Sequence, residues 1–347
     1  MMNKAPIQFM DQQTPLKRIL FSYQFNNTAP TVIFIAGIHG NEPSGIYGLN
    51  NVVDYINKNS VPLKGNFYAI AGNLNALKKN IRFEKSDLNR LWTQDSIVNI
   101  NETNDNPERK EQLELHEVIK GILLENKGPF YFIDLHTTSS ESVPFITISD
   151  SLNNRKFASR FSLPVILGIE EYLEGPLLTF INEFGHISLG FEAGQHEGME
   201  SINNCIEFIW KTLVFSGCVD RIQIKDYKSL TNRIKEESKT KEFYEVNYRY
   251  FLQDNDDFMM ANNFKNFDLV KKGEILAINN NIEINAPVSG QIFMPLYQKQ
   301  GKDGFFIINK ISKVWIVLSK ALRKLKFHHA LRLLPGIKQD PSNRYTL

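Results

Sequence analysis

The sequence predicts an α/β fold in which helices cover both faces of a largely parallel sheet, followed by a smaller β-rich domain. Over residues 1–217, short runs rich in β-branched and aromatic residues alternate with helical patterns, which is the order of a parallel α/β sheet. Over residues 218–347, strand-like pieces are separated by Gly-containing turns. A chain of 347 residues also exceeds the usual length of one domain, so we expect two domains with these bounds.

The first strand and helix begin at TVIFIA, residues 31–36, a run that ends at Gly37. A continuous apolar run of this length is typical of a strand that is buried on both faces. Pro43 suits the first turn of a helix, and apolar residues then recur at helical spacing over residues 46–56. Residues 38–42 are therefore predicted to form a loop at the carboxyl end of a strand.

Further strands and helices are predicted to alternate along the same domain. The strand-like runs are residues 66–71, 129–135, 143–148, 164–167 and 187–191, and the helical patterns are residues 108–124, 152–161, 175–184 and 199–215. Ligands of such sheets bind beyond the carboxyl ends of the strands, so the loops at those ends are where a site is expected.

Two segments depart from this alternation. Residues 73–107 are polar and show little periodicity, and a loop of that length in a compact domain is usually functional. Residues 311–334 form a basic amphipathic pattern, which we interpret as a helix packed on the surface, with binding to a membrane surface as the alternative.

Composition excludes several classes of protein. The 40 basic and 38 acidic side chains give a net charge of +2. A charge this small does not create the strongly positive surface potential that attracts nucleic acid. The N-terminal residues contain no uninterrupted apolar stretch, and no window reaches the ~18 apolar residues of a membrane span. With only two cysteines, a reduced compartment is the simpler reading. We therefore expect a cytoplasmic protein.

Two strand ends carry residues that are typical metal ligands. GIHGNEPSG, residues 37–45, places His39 and Glu42 three apart on the first loop, and FIDLHTTSS, residues 132–140, places His136 directly after another predicted strand. Two such loops can converge, and catalytic zinc commonly takes three protein ligands and keeps one open position. The alternative is that Glu42 serves only the start of the following helix, where the helix dipole favours an acid.

The polar segment contains NIRFEKSDLNRLW, in which Arg82, Asn89 and Arg90 lie close together in sequence. Arginine binds carboxylates through two parallel hydrogen bonds and can stabilise a developing oxyanion. The alternative is a surface loop whose arginines pair with Glu84 and Asp87.

SLGFEAGQHEG places Glu192 at the end of another predicted strand. A carboxylate beside a metal-activated water can take a proton and pass it to a leaving amine, which is the general-base role in a metallohydrolase. His196 and Glu197 follow closely, and we interpret them as polar residues that cap the next helix.

The motifs GIHGNE, DLNR, DLHTT and FEAG, in this order and spacing, resemble the succinylglutamate desuccinylase/aspartoacylase family, which is related to the zinc carboxypeptidases. The resemblance covers residues 31–198 well and residues 286–306 more loosely. It implies a carboxypeptidase-like α/β domain with a β-rich C-terminal domain that narrows the channel to the active site. Small N-acyl amino acids would fit such a channel, whereas folded peptides would not.

The resemblance also implies roles for the residues named above. His39, Glu42 and His136 would bind one Zn2+ per chain, and Glu192 would be the catalytic acid and base. The expected reaction is the hydrolysis of a linear amide bond, which removes an acyl group from a small carboxylate-bearing substrate. Arg82 would polarise the scissile carbonyl.

Specificity is where the chain departs from the family pattern. By the resemblance, Asn89 and Arg90 would hold the α-carboxylate of the substrate. Where aspartoacylase has an arginine for the side-chain carboxylate, this chain has Asn182, so aspartate specificity is not expected. Tyr297 is the tyrosine expected to complete the pocket, with Lys299 as the alternative.

Three readings of function stay open at this point. The first is the N-acyl amino acid deacylase, the second is a zinc carboxypeptidase for short peptides, and the third is an inactive binding protein of the same fold. A structural zinc site is disfavoured, because such sites are usually closed by four ligands and rich in cysteine. The sequence leaves both a monomer and a homo-oligomer open.

Overall fold

The computed structural model contains a large mixed sheet whose strands come from before and after residue 217 in the sequence. The structure describes residues 16–99, 105–196, 198–234, 240–261, 263–312, 314, 316, 338–339 and 345–346. The chain divides into two compact units, residues 1–309 and residues 310–347.

The strands of the larger unit follow the chain in fourteen described segments. They are β1 (Ile19–Tyr23), β2 (Thr31–Ala36), β3 (Asn66–Ala71), β4 (Phe130–Thr138), β5 (Phe145–Ile148), β6 (Val165–Leu167), β7 (Ile187–Gln195), β8 (Phe243–Phe251), β9 (Phe258–Met260), β10 (Leu269–Val270), β11 (Ile275–Asn279), β12 (Ile282–Asn285), β13 (Gly290–Phe293) and β14 (Asp303–Lys310). Eleven of them form one sheet in the order β1-β3-β2-β4-β7-β5-β6-β8-β14-β13-β10, and β12-β11-β9 form a second sheet.

Helices connect these strands. They are α1 (Ser44–Asn59), α2 (Leu74–Lys79), α3 (Gln94–Val98), α4 (Pro107–Glu125), α5 (Leu152–Ala158), α6 (Leu177–Glu183), α7 (Met199–Phe215) and α8 (Tyr227–Leu230). No helix in the described part of the chain combines the length and hydropathy of a membrane-spanning segment. The cytoplasmic location stays a prediction.

The predicted α/β fold with a largely parallel central sheet is confirmed. β2 pairs in parallel with β3 and β4, and β4 pairs in parallel with β7. Ile33 and Ile35 pack in a core that includes residues of α4 and α6. Ala36 points to the opposite face, where it lies under Gly45 of α1. Because neighbouring residues of a strand point to opposite faces, these contacts show helices on both sides of the sheet.

Two of the strands that carry site residues are longer than predicted. β4 continues through His136 to Thr138, and β7 continues through Glu192 to Gln195. The reason is that these two strands pair with each other, with His136 opposite Glu192. The hydrogen bonds between the two strands continue through these polar residues. A prediction from the hydrophobic pattern alone therefore ends both strands too early.

The polar segment that was expected to lack regular structure contains the helices α2 and α3. Each helix starts at a side-chain cap: Asn73 accepts from the backbone N–H of Ala76, and Thr93 accepts from that of Ser96. Such caps satisfy backbone donors that the helix leaves free. β1 was also not predicted; it is an antiparallel edge strand beside β3.

The β-rich C-terminal part continues the central sheet. β8 pairs in parallel with β6, so strands before and after residue 217 belong to one hydrogen-bonded sheet. Phe145 and Ile166 share a core with Tyr244, Phe293 and Phe306. The domain boundary after residue 217 stays a prediction, and the two parts are joined through a common core.

The smaller unit contains a two-stranded pair, β15 (Lys338–Gln339) and β16 (Tyr345–Thr346). The helix predicted over residues 311–334 falls, except for a few of its first residues, outside the described part of the chain.

Candidate metal centre and active-site cavity

Three buried residues meet at the carboxyl ends of two neighbouring parallel strands. His39 and Glu42 lie on the loop after β2, and His136 lies near the end of β4. One oxygen of Glu42 is 2.9 Å from Nδ1 of His39, and the other is 3.0 Å from Nδ1 of His136. One ligand atom from each residue lies within 4.8 Å of the others, so the group could hold a metal ion.

The loop after β2 is held close to α2 by glycine. A Cβ atom at Gly40 would lie 2.1 Å from the carbonyl carbon of Ala76, and Gly37 has a positive φ of 69°. A side chain at Gly40 would push the loop away from α2, and positive φ favours glycine. The glycines of GIHGNE therefore fix the path that brings His39 and Glu42 together.

Each histidine has a carboxylate at its second ring nitrogen. Asp87 Oδ1 lies 3.0 Å from Nε2 of His39, and Asp134 Oδ2 lies 2.8 Å from Nε2 of His136. A histidine that binds metal through one nitrogen usually directs the other at a carboxylate or carbonyl. The geometry around both imidazoles therefore suits metal ligands, and two histidine nitrogens with a carboxylate suit zinc.

The charges of this group depend on one another. Burial by itself would raise the pKa of Glu42, but His39 and His136 outweigh it and hold that pKa well below its usual range. Burial would likewise lower the pKa of His136, but Asp134 and Glu42 raise it well above the ordinary value. Glu42 is therefore an anion that attracts positive charge, which is the electrostatic condition for a cation site.

Glu192 faces this group from the neighbouring strand. It lies on β7 opposite His136, is buried, and its Oε2 has no hydrogen-bond partner in the described part of the chain. Burial, with Glu42 and Asp134 adding to it, raises the pKa of Glu192 to about 8, although His136 and Arg82 act in the opposite direction. A carboxyl group with a pKa near neutrality can both accept and deliver a proton.

Arg82 lies between the metal group and the loop that follows it. Its NH1 donates to Glu42 Oε1 at 3.3 Å, and its NH2 donates to Asp87 Oδ2 at 3.1 Å. The proposed pairing with Asp87 is thus observed, whereas Glu84 pairs with Lys79. The carboxylate partners raise the pKa of Arg82 against the effect of burial, so it is a fixed cation in the site.

Asn89 and Arg90 line the same cavity as the metal group. Asn89 Oδ1 accepts from the backbone N–H of Leu177 at 2.9 Å, which leaves the amide N–H groups as its donors. Arg90 NH2 donates to Asp303 Oδ2 at 3.2 Å, and Arg249 Nε donates to Asp303 Oδ1 at 2.6 Å. Asp303 therefore holds two arginines at the wall.

The cavity has a volume of about 1580 Å³ and contains every predicted catalytic and metal-binding residue. Tyr297 is not among its lining residues and is 40% exposed, whereas Gln298 and the alternative residue Lys299 do line it. Asn182 does not line the cavity; its Oδ1 accepts from Asn154 Nδ2 at 3.0 Å. The substrate-binding role of Tyr297 stays a prediction, and so does the lack of aspartate specificity that Asn182 indicates.

His196 belongs to the cavity wall and does not cap α7, whose N-terminus at Gly198 has no side-chain cap. Its Nδ1 lies 2.7 Å from Thr137 Oγ1, and its Nε2 lies 3.3 Å from Oε1 of Gln298. The same oxygen accepts from Asn41 Nδ2 at 2.9 Å. Glu197 lies outside the described residues.

Sequence reasoning missed the carboxylates that surround the ligands. Asp87 and Asp134 stand inside the motifs DLNR and DLHTT, so their position beside functional residues was the available signal. Asp303 and Gln298 lie more than 200 residues after the DLNR motif, and only the fold brings them to the site.

Residues 28–206 match the family model described as the succinylglutamate desuccinylase/aspartoacylase catalytic domain. The chain is 31% identical over 137 residues to a succinylglutamate desuccinylase of Photorhabdus laumondii. That match covers 38% of this chain and 40% of the enzyme, which is less than half of its length.

Solved structures show the same fold. A succinylglutamate desuccinylase of Vibrio parahaemolyticus has a TM-score of 0.61 at 16% identity, with 83% of each chain covered. One from Vibrio cholerae has a TM-score of 0.59 at 19% identity, again with 83% of each chain covered. A succinylglutamate desuccinylase/aspartoacylase of Rhodobacter sphaeroides has a TM-score of 0.60 at 16% identity and covers 83% of this chain and 88% of its own.

Proposed function

Because the chain belongs to the succinylglutamate desuccinylase/aspartoacylase family, we propose that it is a zinc-dependent amidohydrolase that removes an acyl group from an N-acyl amino acid or a related small carboxylate substrate. The observation that carries the proposal is the position of Glu192. This buried carboxyl group, with one oxygen unpartnered among the described residues, lies on the strand next to His136 in the cavity. A proton carrier beside a group of metal ligands is what hydrolysis of an amide requires.

His39, Glu42 and His136 would hold the metal, since their donor atoms lie close together and Asp87 and Asp134 orient the two imidazoles. When bound, zinc supplies a Lewis acid that polarises a carbonyl oxygen and lowers the pKa of water. One metal ion per chain is expected, because the described residues contain one such group of ligands.

Glu192 would move the protons of the reaction. It would accept a proton from the attacking water at its unpartnered oxygen and then deliver that proton to the nitrogen of the leaving amine. The products would be a carboxylic acid and an amino acid or amine.

The cations of the cavity would bind and orient the substrate. Arg82, held by Glu42 and Asp87, would donate to the scissile carbonyl oxygen and stabilise the negative charge that develops there. Arg90 and the amide N–H groups of Asn89 would bind the carboxylate of the substrate. Their partners Asp303 and the backbone of Leu177 keep both side chains at the wall of the cavity.

A second candidate is a zinc carboxypeptidase for short peptides, because the cavity of about 1580 Å³ exceeds the ~300–1000 Å³ that is usual for a small-molecule site. An inactive binding protein is less well supported, because a protein that only binds its ligand does not need a buried carboxyl group beside the metal ligands. Assembly into a homo-oligomer stays a prediction.

Metal analysis combined with a substrate panel tests the proposal. We expect about one zinc per chain in the purified protein and hydrolysis of at least one member of a panel of N-succinyl, N-acetyl and longer N-acyl amino acids, followed by release of the free amine. Hydrolysis confined to short peptides would favour the carboxypeptidase. Metal binding without hydrolysis of any panel member or peptide would favour the binding protein.

A further inference from the structure

The cavity continues from Glu192 along β7 toward the start of that strand. Ser188 and Gly190 share a strand face with Glu192, because they are four and two residues away from it. At about 3.3 Å per residue, Ser188 lies about 13 Å from Glu192 along the strand. All three residues line the cavity, which therefore has room for a long group beyond the scissile bond.

Thr147 and Glu170 complete this end of the cavity, which we call the distal subsite and define by Thr147, Glu170, Ser188 and Gly190. Thr147 of β5 is paired with Gly190, and a Cβ atom at Gly190 would lie 2.3 Å from the hydroxyl of Thr147. The absence of a side chain at Gly190 leaves room for the Thr147 hydroxyl between Glu192 and Ser188.

A chain of hydrogen bonds places Glu170 at the Ser188 end. Asn154 Nδ2 donates to the carbonyl of Ser149 at 3.0 Å, and Asn154 Oδ1 accepts from the backbone N–H of Ser188 at 3.0 Å. The next residue, Asp150, donates its backbone N–H to Glu170 Oε1 at 2.9 Å. Glu170 is therefore next to the segment that contacts Ser188.

Two buried polar atoms of the distal subsite lack partners in the described part of the chain. Ser188 is 1% exposed, and its Oγ has no hydrogen-bond partner there. The same holds for Oε2 of Glu170, whose other oxygen is bound to Asp150. Buried polar groups are nearly always satisfied, so two oxygens without a protein partner at one end of a cavity are available to a ligand group that donates hydrogen bonds.

The charge around Glu170 indicates which donor fits. Burial is the largest cause of its raised pKa, and the carboxylates Glu171 and Asp150 add to it, although Asp150 is itself paired with Arg155 at 2.8 Å. The cavity arginines Arg90 and Arg249 are already bound to Asp303. A ligand carboxylate at this end would face like charges, whereas an ammonium would neutralise Glu170 and can donate three hydrogen bonds.

We propose that the distal subsite binds a protonated amine, so that the preferred substrate is an N-acyl amino acid with an ammonium at the far end of its side chain or of its acyl group. The ammonium would donate to Glu170 Oε2 and Ser188 Oγ while the scissile amide lies beside Glu192. This inference rests on the deacylase function proposed above. It specifies in addition the charge of the substrate and the distance between its scissile amide and its ammonium.

A panel of matched substrates tests the charge. Nα-acetyl-lysine carries the ammonium on the side chain, and N-acetylnorleucine is its neutral counterpart. N-(6-aminohexanoyl)-glycine carries the ammonium on the acyl group, and N-hexanoylglycine is its neutral counterpart. N-acetylglutamate is the anionic comparison. A charge-assisted hydrogen bond is worth about 1.5–3 kcal/mol, which corresponds to a kcat/KM advantage of roughly 10- to 150-fold for one cationic substrate over its counterparts. Whichever cationic substrate is preferred identifies the half of the molecule that enters the subsite.

Variants then assign the preference to Glu170. We expect Glu170→Gln to lower kcat/KM for the preferred cationic substrate about 10-fold or more while leaving N-acetylnorleucine unchanged, because glutamine keeps the bond to Asp150 but not the charge. Glu245→Gln, at an exposed position of β8 that does not line the cavity, should change neither.

The outcomes separate this inference from the function on which it rests. Equal rates for the cationic and neutral substrates in the unaltered protein would overturn the inference and leave the deacylase function intact, as would an equal loss for both in Glu170→Gln. Failure to hydrolyse any N-acyl amino acid would remove the proposed function itself. The substrate panel decides the question even if Glu170→Gln does not fold.

Discussion

Single residues in this molecule are set apart by their surroundings rather than by their chemical type. Glu192 and Glu170 are both glutamates with one unpartnered oxygen among the described residues, and burial raises the pKa of both. Glu192 lies across from His136, where a bound metal cation would bring its pKa down toward neutrality. Burial is the largest cause of the raised pKa of Glu170, the carboxylates Glu171 and Asp150 add to it, and a bound cation would lower it.

Replacing Glu192 with Gln should abolish proton transfer while leaving the metal in place. The amide is nearly the same size but cannot accept and return a proton, so we expect kcat to fall by roughly 10²- to 10⁴-fold. Metal content measured by mass spectrometry should stay at that of the unaltered protein. The control is Glu245→Gln, at an exposed position of β8. Activity retained in Glu192→Gln would remove this residue from the mechanism.

Replacing Glu170 with Gln should change how stability depends on pH. The folded state holds the pKa of Glu170 at about 7, against an ordinary value of 4.5, so folding favours its protonated form. The resulting stabilisation is present below pH 4.5 and is lost as pH rises through 7. Relative to Glu170→Gln, the unaltered protein should lose roughly 2–3 kcal/mol of unfolding free energy between pH 5 and pH 8.5, measured by urea denaturation. Parallel pH curves for the two proteins would contradict the assignment.

At the scale of elements, one buried carboxylate connects helix α4 to the loop that carries Arg82, Asn89 and Arg90. Glu108 in the first turn of α4 is fully buried, and it accepts from the backbone N–H groups of Glu84, Lys85 and Ser86 at 2.7, 3.2 and 3.3 Å. Those residues separate Arg82 from the DLNR turn. Glu108 therefore holds the backbone on which two parts of the cavity wall depend.

Replacing Glu108 with Ala should loosen this loop without affecting the metal ligands directly. Leaving buried N–H groups unsatisfied costs about 1–3 kcal/mol each, so we expect the unfolding free energy to fall by roughly 2–4 kcal/mol. KM should rise more than kcat falls, because Asn89 and Arg90 would lose their fixed positions. Glu117→Ala, at a largely exposed position of the same helix, is the matched control. An unchanged KM in folded Glu108→Ala would show that the loop is held by other contacts.

At the scale of the whole molecule, the site exists because the central sheet brings distant segments to one edge. The three proposed metal ligands come from the ends of β2 and β4, Glu192 comes from β7, and Gln298 reaches the same cavity from the C-terminal part. Through Asn41 and His196, Gln298 is in contact with the loops after both β2 and β7. A metal ion at this place would join segments that are about a hundred residues apart in sequence.

Metal removal should therefore lower global stability. A ligand that binds only the folded state adds about 2.7 kcal/mol at a concentration 100 times its Kd, so we expect the melting temperature to fall after chelation and to recover with added zinc. In His136→Ala, which lacks one of the three ligands, the recovery should be absent or require much more zinc. Calorimetry of the chelated and reloaded proteins measures both effects. Equal recovery in His136→Ala would place the metal elsewhere.

Much of the fold and of the metal group could be predicted from the chain itself. The run at residues 31–36 predicted a buried strand, because a continuous run of β-branched and aromatic residues is unfavourable on an exposed surface. The helix predicted over residues 199–215 has the same bounds in the structure. His39, Glu42 and His136 could be singled out because they follow such strands, where ligands of an α/β sheet bind. In each case the signal was local and periodic.

The tertiary structure alone decided which residues surround those ligands and what shape the cavity has. Asp303 and Gln298 act at the site because β14 and the segment before it are brought beside the DLNR loop and the loop after β2. The burial of Glu170 and Ser188 depends on the pairing of β5 with β6 and β7. Local sequence determines strands, helices and the residue types at their ends, whereas burial, charge balance and the reach of a cavity depend on long-range packing that no local pattern encodes.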